Sequence, residues 1–308
     1  MNTVGLFGKI PAKADFIRHG VSEPAARAFH DWLHQGMESL RGAGLESPNH
    51  IVRFLFSPHG SGQVLVGLLV PSRDQVGRRF PLAAFYSMDA AWFAHRFSRV
   101  PIACYPFLEG LRGLLTRAQD LSFEELVAEL AVVGTPTQEQ FNTADGICDR
   151  TMNGLKAADF LSGSFDVAGR EHHYALNTFL LACRNVSAAP PEHTGIIVDC
   201  PLSADVDLFA WLELASRSLA WTTEPPSFFW VEAPTPRMMI ALGPTHTQML
   251  RWFADDGSVH DRLWPLKTEH MSARDSATQA LGATLHPFEP GSGASLGELL
   301  DALGGPVR

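Results

Sequence analysis

Three apolar runs lie close together in a sequence of 308 residues and constrain its fold more than any other feature: Ile51 to Ser57, Gln63 to Val70 and Leu82 to Met88. Their residues are those of β-strands. The turn-rich stretch Pro58-His-Gly-Ser-Gly62 joins the first two and predicts a hairpin. Beyond Pro71-Ser-Arg-Asp-Gln-Val-Gly-Arg-Arg-Phe-Pro81 comes the third run, so the simplest topology is an antiparallel meander with a long loop at one end. An ordinary hairpin connection needs about 2 to 5 residues. This one is longer and carries a hydroxyl, a carboxylate, three guanidinium groups and a glycine between its prolines.

The flanking text fits helices packed on such a sheet. Thr3 to Ile10 is a short strand stopped by Pro11, before a polar turn containing Lys13, Asp15 and Arg18. Ser22 and Pro24 open a helix whose apolar positions Ala25, Phe29, Trp32, Leu33, Met37 and Leu40 recur at helical spacing. Helical text runs from Pro101 to Gln119, and Ser122-Phe-Glu-Glu125 is a capping box for another helix ending before Gly134. Residues 134 to 140 read as a linker. A second α/β pattern follows: a strand over Gly195 to Cys200, a helix over Asp205 to Leu219, a hairpin of Ser227 to Glu232 with Arg237 to Leu242, and a helix over His246 to Ala254.

The expected fold is therefore α+β, antiparallel β-sheets with helices packed on them as a layered α/β sandwich, in two α/β units. We divide the chain into an N-terminal α/β domain over 1–135, a helical connecting region over 136–190, a second α/β unit over 191–270 and a loosely packed tail over 271–308. Ser295 to Leu303 forms a short helix in that tail.

Charge and cysteine usage narrow the function. Residues 1–100 hold 11 Lys+Arg and 7 Asp+Glu, a balance of +4; subtraction from the totals of 24 and 33 leaves 13 and 26, or −13, for residues 101–308. The overall −9 argues against nucleic acid as a partner, and the split suggests different partners or mutual docking. Lys9, Lys13, Asp15 and Arg18 interrupt any signal-peptide pattern, and no apolar run approaches the ~20 residues of a membrane helix. A cytoplasmic location without direct membrane insertion is expected. Cys104, Cys148, Cys183 and Cys200 are widely spaced and read as reduced, buried thiols.

Motifs for catalysis are weak. Gly8-Lys9 lacks the earlier glycine and the following Ser or Thr of a phosphate loop, and Gly60-Ser-Gly62 lies in a hairpin turn. His30 and His34 stand one helical turn apart but read as surface histidines, and Glu171-His172-His173 lacks a third element to complete a metal site. No nucleophile elbow is present. We expect no enzyme, no catalytic residues, no metal and no cofactor. Ser72, Asp74 and Arg78 gather in one loop, where an Asp74–Arg78 pair either braces the hairpin or contacts a ligand.

Two stretches carry a family likeness. Gly5-Leu-Phe-Gly-Lys-Ile-Pro-Ala-Lys-Ala-Asp-Phe16 and Val70-Pro-Ser-Arg-Asp-Gln-Val-Gly-Arg-Arg-Phe-Pro-Leu82, with a Trp-containing helix between them, resemble the TagF family of type VI secretion-associated proteins. Gly8, Lys9, Pro11, Asp15, Phe16, Ser72, Asp74, Val76, Gly77, Arg78, Phe80 and Pro81 fall on the family's motif positions. Leu6, Ala14 and Arg79 depart from it. The likeness covers roughly the first 135 residues, and Ser227-Phe-Phe-Trp230 resembles the family's later Ser-x-x-Trp segment. It implies a bacterial, cytoplasmic accessory protein that restrains assembly or firing of the secretion apparatus after translation, by binding a forkhead-associated scaffold protein. Lys9, Asp15, Ser72, Asp74 and Arg78 are then the candidate binding residues; Gly8, Pro11, Phe16, Gly77, Phe80, Pro81 and Trp230 are the structural motif. The runner-up is a small enzyme or ligand-sensing domain that takes a phosphorylated or carboxylate ligand at residues 71–81.

Overall fold

The computed structural model describes residues 4–93, 95–188, 192, 195–232, 235–254, 262–268 and 270–305. Strands β1 (Gly5–Gly8) and β2 (Ile17–His19) precede helix α1 (Pro24–Gly42), and the meander follows as β3 (Val52–Phe56), β4 (Gln63–Val70) and β5 (Leu82–Asp89). A 3-10 turn over Phe97–Arg99 leads into α2 (Val100–Ala103), α3 (Tyr105–Leu115) and α4 (Phe123–Leu130). Three helices, α5 (Gln138–Gly154), α6 (Ala157–Ser164) and α7 (Glu171–Asn185), connect to β6 (Ile196–Pro201) and α8 (Asp205–Ser218). The chain continues through β7 (Ser227–Val231), β8 (Arg237–Leu242), α9 (Met249–Ala254), β9 (Leu263–Pro265), α10 (Met271–Leu285) and α11 (Leu296–Gly304).

Among the described residues, nine strands join in one sheet of order β2-β1-β5-β4-β3-β7-β8-β6-β9. The two expected sets of strands meet where β3 pairs antiparallel with β7, in the register Arg53↔Trp230, Phe54↔Phe229 and Leu55↔Phe228. Among the described residues, β6 and β9 are the one pair that runs parallel. Alternation along the strands divides the core into two layers. Phe54 and Phe56 of β3, Leu65 and Leu69 of β4 and Phe229 of β7 face α1 and α9. On the other side, Leu55, Val66, Leu68, Phe228 and Ile240 face α3, α7, α8 and their neighbours. Each large side chain removed from water in these layers contributes about 1.5–3 kcal/mol.

Helix α1 covers the first layer with the stripe read from its sequence, burying Phe29, Trp32, Leu33, Met37 and Leu40. The Trp32 indole donates to the carbonyl of His246 at 3.1 Å and so fastens α1 to the segment before α9. The helical text from Pro101 to Gln119 is divided, because Pro106 has no N–H to continue the ladder and instead sits in the first turn of α3. The Ser122–Glu125 capping box of α4 is formed, and Thr137–Gln140 makes a second one that opens α5 inside the expected linker.

The tail corrects the sequence reading. Residues 271–285 form a 15-residue helix, and Leu281, Leu285, Phe288, Leu296, Leu299 and Leu300 belong to the larger core layer. The alanine-rich composition that suggested loose packing lets α10 approach α7 closely instead, and His173 of α7 hydrogen-bonds Thr278 of α10 at 2.9 Å. Met1 to Thr3 and 306–308 lie outside the described residues.

The four cysteines are buried and free. Burial pushes the Cys148 thiol up to about 12, so it stays protonated at neutral pH.

Candidate functional site

The polar loop between β4 and β5 rests on the turn between β1 and β2. Gly8 makes the contact possible: its φ is +141°, and a Cβ there would lie 2.3 Å from the carbonyl oxygen of Pro81. Glycine is the residue that meets both conditions. Just beyond it, Lys9 turns inward and its Nζ donates to Asp74 Oδ2 at 2.9 Å. Both residues are almost fully enclosed, Lys9 at 7% and Asp74 at 2% exposure.

Asp74 is the centre of the arrangement. Its Oδ1 accepts from the backbone N–H groups of Val76 at 3.1 Å and Arg78 at 2.8 Å, and its Oδ2 also accepts from Arg78 Nε at 2.7 Å. Burial by itself raises the carboxyl pKa. The hydrogen bond from Lys9, those from the Arg78 backbone and side chain and the Lys9 charge outweigh it and hold the group well below the ordinary carboxylate range. The backbone closes the same turn, with Gly77 N–H donating to Asp74 O and Asp74 N–H to Arg78 O. Gly77, at φ +86°, supplies the left-handed residue that this turn requires.

Further bonds tie the loop to the first motif. Ser72 Oγ donates to the carbonyl of Lys9 at 2.7 Å, Gln75 N–H to that of Lys13 at 3.0 Å, and an Arg78 terminal nitrogen to that of Ala14 at 2.6 Å. Beneath them lie three phenylalanines: Phe16 stacks on Phe7 with centroids 5.6 Å apart, and Phe80 meets Phe16 edge-on at 4.8 Å. The Lys9 ammonium also sits 4.9 Å from the Phe16 ring centre, a cation–π contact. Pro81 is buried at the start of β5, and Pro11 lies in the turn next to Lys9.

The structure thus brings Lys9, Ser72, Asp74 and Arg78 together, and leaves Asp15 apart. The exposed Asp15 carboxylate accepts the N–H of the next residue, Phe16, at 2.8 Å and does not reach Asp74 or Arg78. Trp230 also stands elsewhere, on β7 opposite Arg53, with its ring stacked on Phe228. Of the candidate cations, Lys9 is enclosed, whereas the Arg78 side chain is 62% exposed. Around Arg78 the loop shows Arg73, Gln75, Arg79 and Val76 to solvent, with Val76 at 67% exposure, and Arg79 pairs with Glu46. Sequence reading passed over this apolar tip, although Val76 stands inside the quoted motif.

The histidine clusters do not form ligand sets. His30 packs on Phe7 and bonds to Asp31, and His172 and His173 are buried edge-to-face at 4.3 Å. No group of three or more His, Cys, Asp or Glu among the described residues is placed to hold a metal ion.

Residues 5–133 match the family model for the TagF N-terminal domain, described as type VI secretion system-associated. This chain carries a TagF N-terminal domain. The TagF domain comprises β1 to β5 and α1 to α4, and both sequence motifs lie inside it. The protein is accordingly associated with type VI secretion. No curated protein matches the chain. A solved structure similar to it, that of PA0076 from Pseudomonas aeruginosa PAO1, has 18% sequence identity and a TM-score of 0.49, over 85% of this chain and 99% of that one. Among the described residues, no helix is long and apolar enough to cross a membrane.

Proposed function

We propose that the protein is a cytoplasmic accessory of a type VI secretion system that restrains assembly or firing of the apparatus after translation, by binding a forkhead-associated scaffold protein of the same system. The observation that carries this reading is the TagF domain with its two motifs bonded into one surface. Asp74 and Lys9 brace that surface from within, and Arg78 and Val76 form its outward part. A guanidinium held at one edge by Asp74 is oriented for bidentate contact with a partner carboxylate, while Val76 adds an apolar anchor. The action is binding and not catalysis. Recognition of a phosphorylated or carboxylate metabolite at the same loop finds less support, since the Lys9 ammonium is enclosed with Asp74.

Co-purification with the cognate forkhead-associated protein is the direct test. The intact chain is expected to retain the partner, and Val76→Asp and Arg78→Ala each to weaken retention by about tenfold. Secretion by the apparatus is expected to rise in a deletion strain and fall on overexpression. No retention by the intact chain removes the binding partner from the proposal, and unchanged secretion in both strains removes the restraint.

A further inference from the structure

A cleft of about 520 Å³ opens on the opposite side of the sheet from α1, where the strands of the TagF domain meet those of the second half. Its floor includes Trp230 of β7, directly across the strand pair from Arg53, together with Leu208 and Phe209 of α8. Ile102 of α2 and Ile147 of α5 also line it. The size and apolar lining are those of a ligand site, and such sites favour junctions between structural units. Tyr105, which is 58% exposed, and the exposed Pro106 are apolar parts of the same lining that reach solvent.

The charge around it is net negative. Glu139, Asp205 and Glu232 line it with one cation, Arg53. Arg53 is itself held by Glu109 and Glu232, whereas Glu139 and Asp205 form no ion pair with any described residue. An apolar cleft that carries Glu139 and Asp205 free of ion pairs among the described residues complements a segment that is apolar on one face and basic on its flanks.

We propose that this cleft docks a basic amphipathic segment of another protein, with apolar side chains on the Trp230 floor and lysines or arginines against Glu139 and Asp205. The solvent-exposed Tyr105 and Pro106 in the lining, beside the acidic Glu139 and Asp205, favour a protein segment that runs across the opening over an enclosed small molecule. The site shares no lining residue with loop 71–81 and does not depend on the partner proposed for that loop.

The test uses the intact chain and fluorescence anisotropy of a labelled peptide of about 18 residues with leucines at helical spacing and lysines elsewhere. A control peptide replaces every lysine with glutamate. The lysine peptide is expected to bind at least about tenfold more tightly than the control. Thr143→Trp, which fills the opening from an exposed position on α5, lowers that affinity by about tenfold, and Glu139→Gln with Asp205→Asn lowers it and flattens its salt dependence. Ile102→Arg serves as a second blocking variant. Equal binding of both peptides overturns the proposal, as does lysine-peptide affinity that both blocking variants leave unchanged, which marks attraction to the acidic surface at large. Binding of tetraphenylphosphonium at the cleft without binding of the peptide assigns the site to a small apolar cation and likewise overturns it.

Discussion

Asp74 and Arg78 sit in one turn yet differ in what their loss should do. Asp74 neutralises the enclosed Lys9 and receives two backbone N–H groups, so Asp74→Asn leaves a buried ammonium without its counter-charge. We expect a fall in Tm of about 5 °C for that variant, and less than about 2 °C for the exposed Arg78→Ala, both read by calorimetry at pH 7. The sign of the pH dependence follows from a depressed carboxyl pKa. The stabilisation by Asp74 is complete above its ordinary value of 3.8 and is lost as the pH falls toward the lower folded value, so the Tm gap between parent and Asp74→Asn closes in acid. The loop's turn chemistry was legible in Ser72, Asp74 and Gly77. Which face Lys9 takes was not, because its partner lies 65 residues away and only the close approach at Gly8 brings the two together. Asp15 stands apart from Asp74 for a local reason: a carboxylate next to a free N–H in a turn bonds there first.

The elements are held together by a charge chain, buried at Arg99, Glu213 and Arg217 and open to solvent at its ends, that no local pattern announced. Arg99, in the 3-10 turn before α2, reaches Asp145 of α5 and Glu213 of α8; Glu213 also holds Arg217, which pairs with Asp301 of α11. Glu213→Gln leaves two enclosed guanidinium groups short of an anion, an expected loss of about 3–5 kcal/mol. Urea unfolding should show it as a lower midpoint at unchanged slope. Helices with strong signals were readable from the sequence: the stripe of α1, the Ser122 capping box and the short helix over Ser295 to Leu303 each correspond to a formed helix. Strands β2 and β9 were missed because three residues carry no usable alternation, and α10 because its small, weakly sided residues gain their order from α7.

For the whole molecule, the decisive contact is the β3–β7 pair. It makes β3 an interior strand, and a fragment ending near residue 135 would expose both the unpaired edge of β3 and the apolar faces that β7 and α9 cover. We expect that fragment to self-associate in sedimentation experiments, while the intact chain unfolds in one calorimetric transition. Two monomeric, separately melting halves are the contrary result. Sequence reading found the strands of both halves and not their union, since pairing between β3 and β7 spans more than 170 residues without a turn signal. The strands that bound the sheet are three residues each, β2 at one end and β9 at the other. Among the described residues, such short borders give an incoming strand little backbone to zip onto, which disfavours strand addition and favours recognition through side chains, where single substitutions can separate one partner from another.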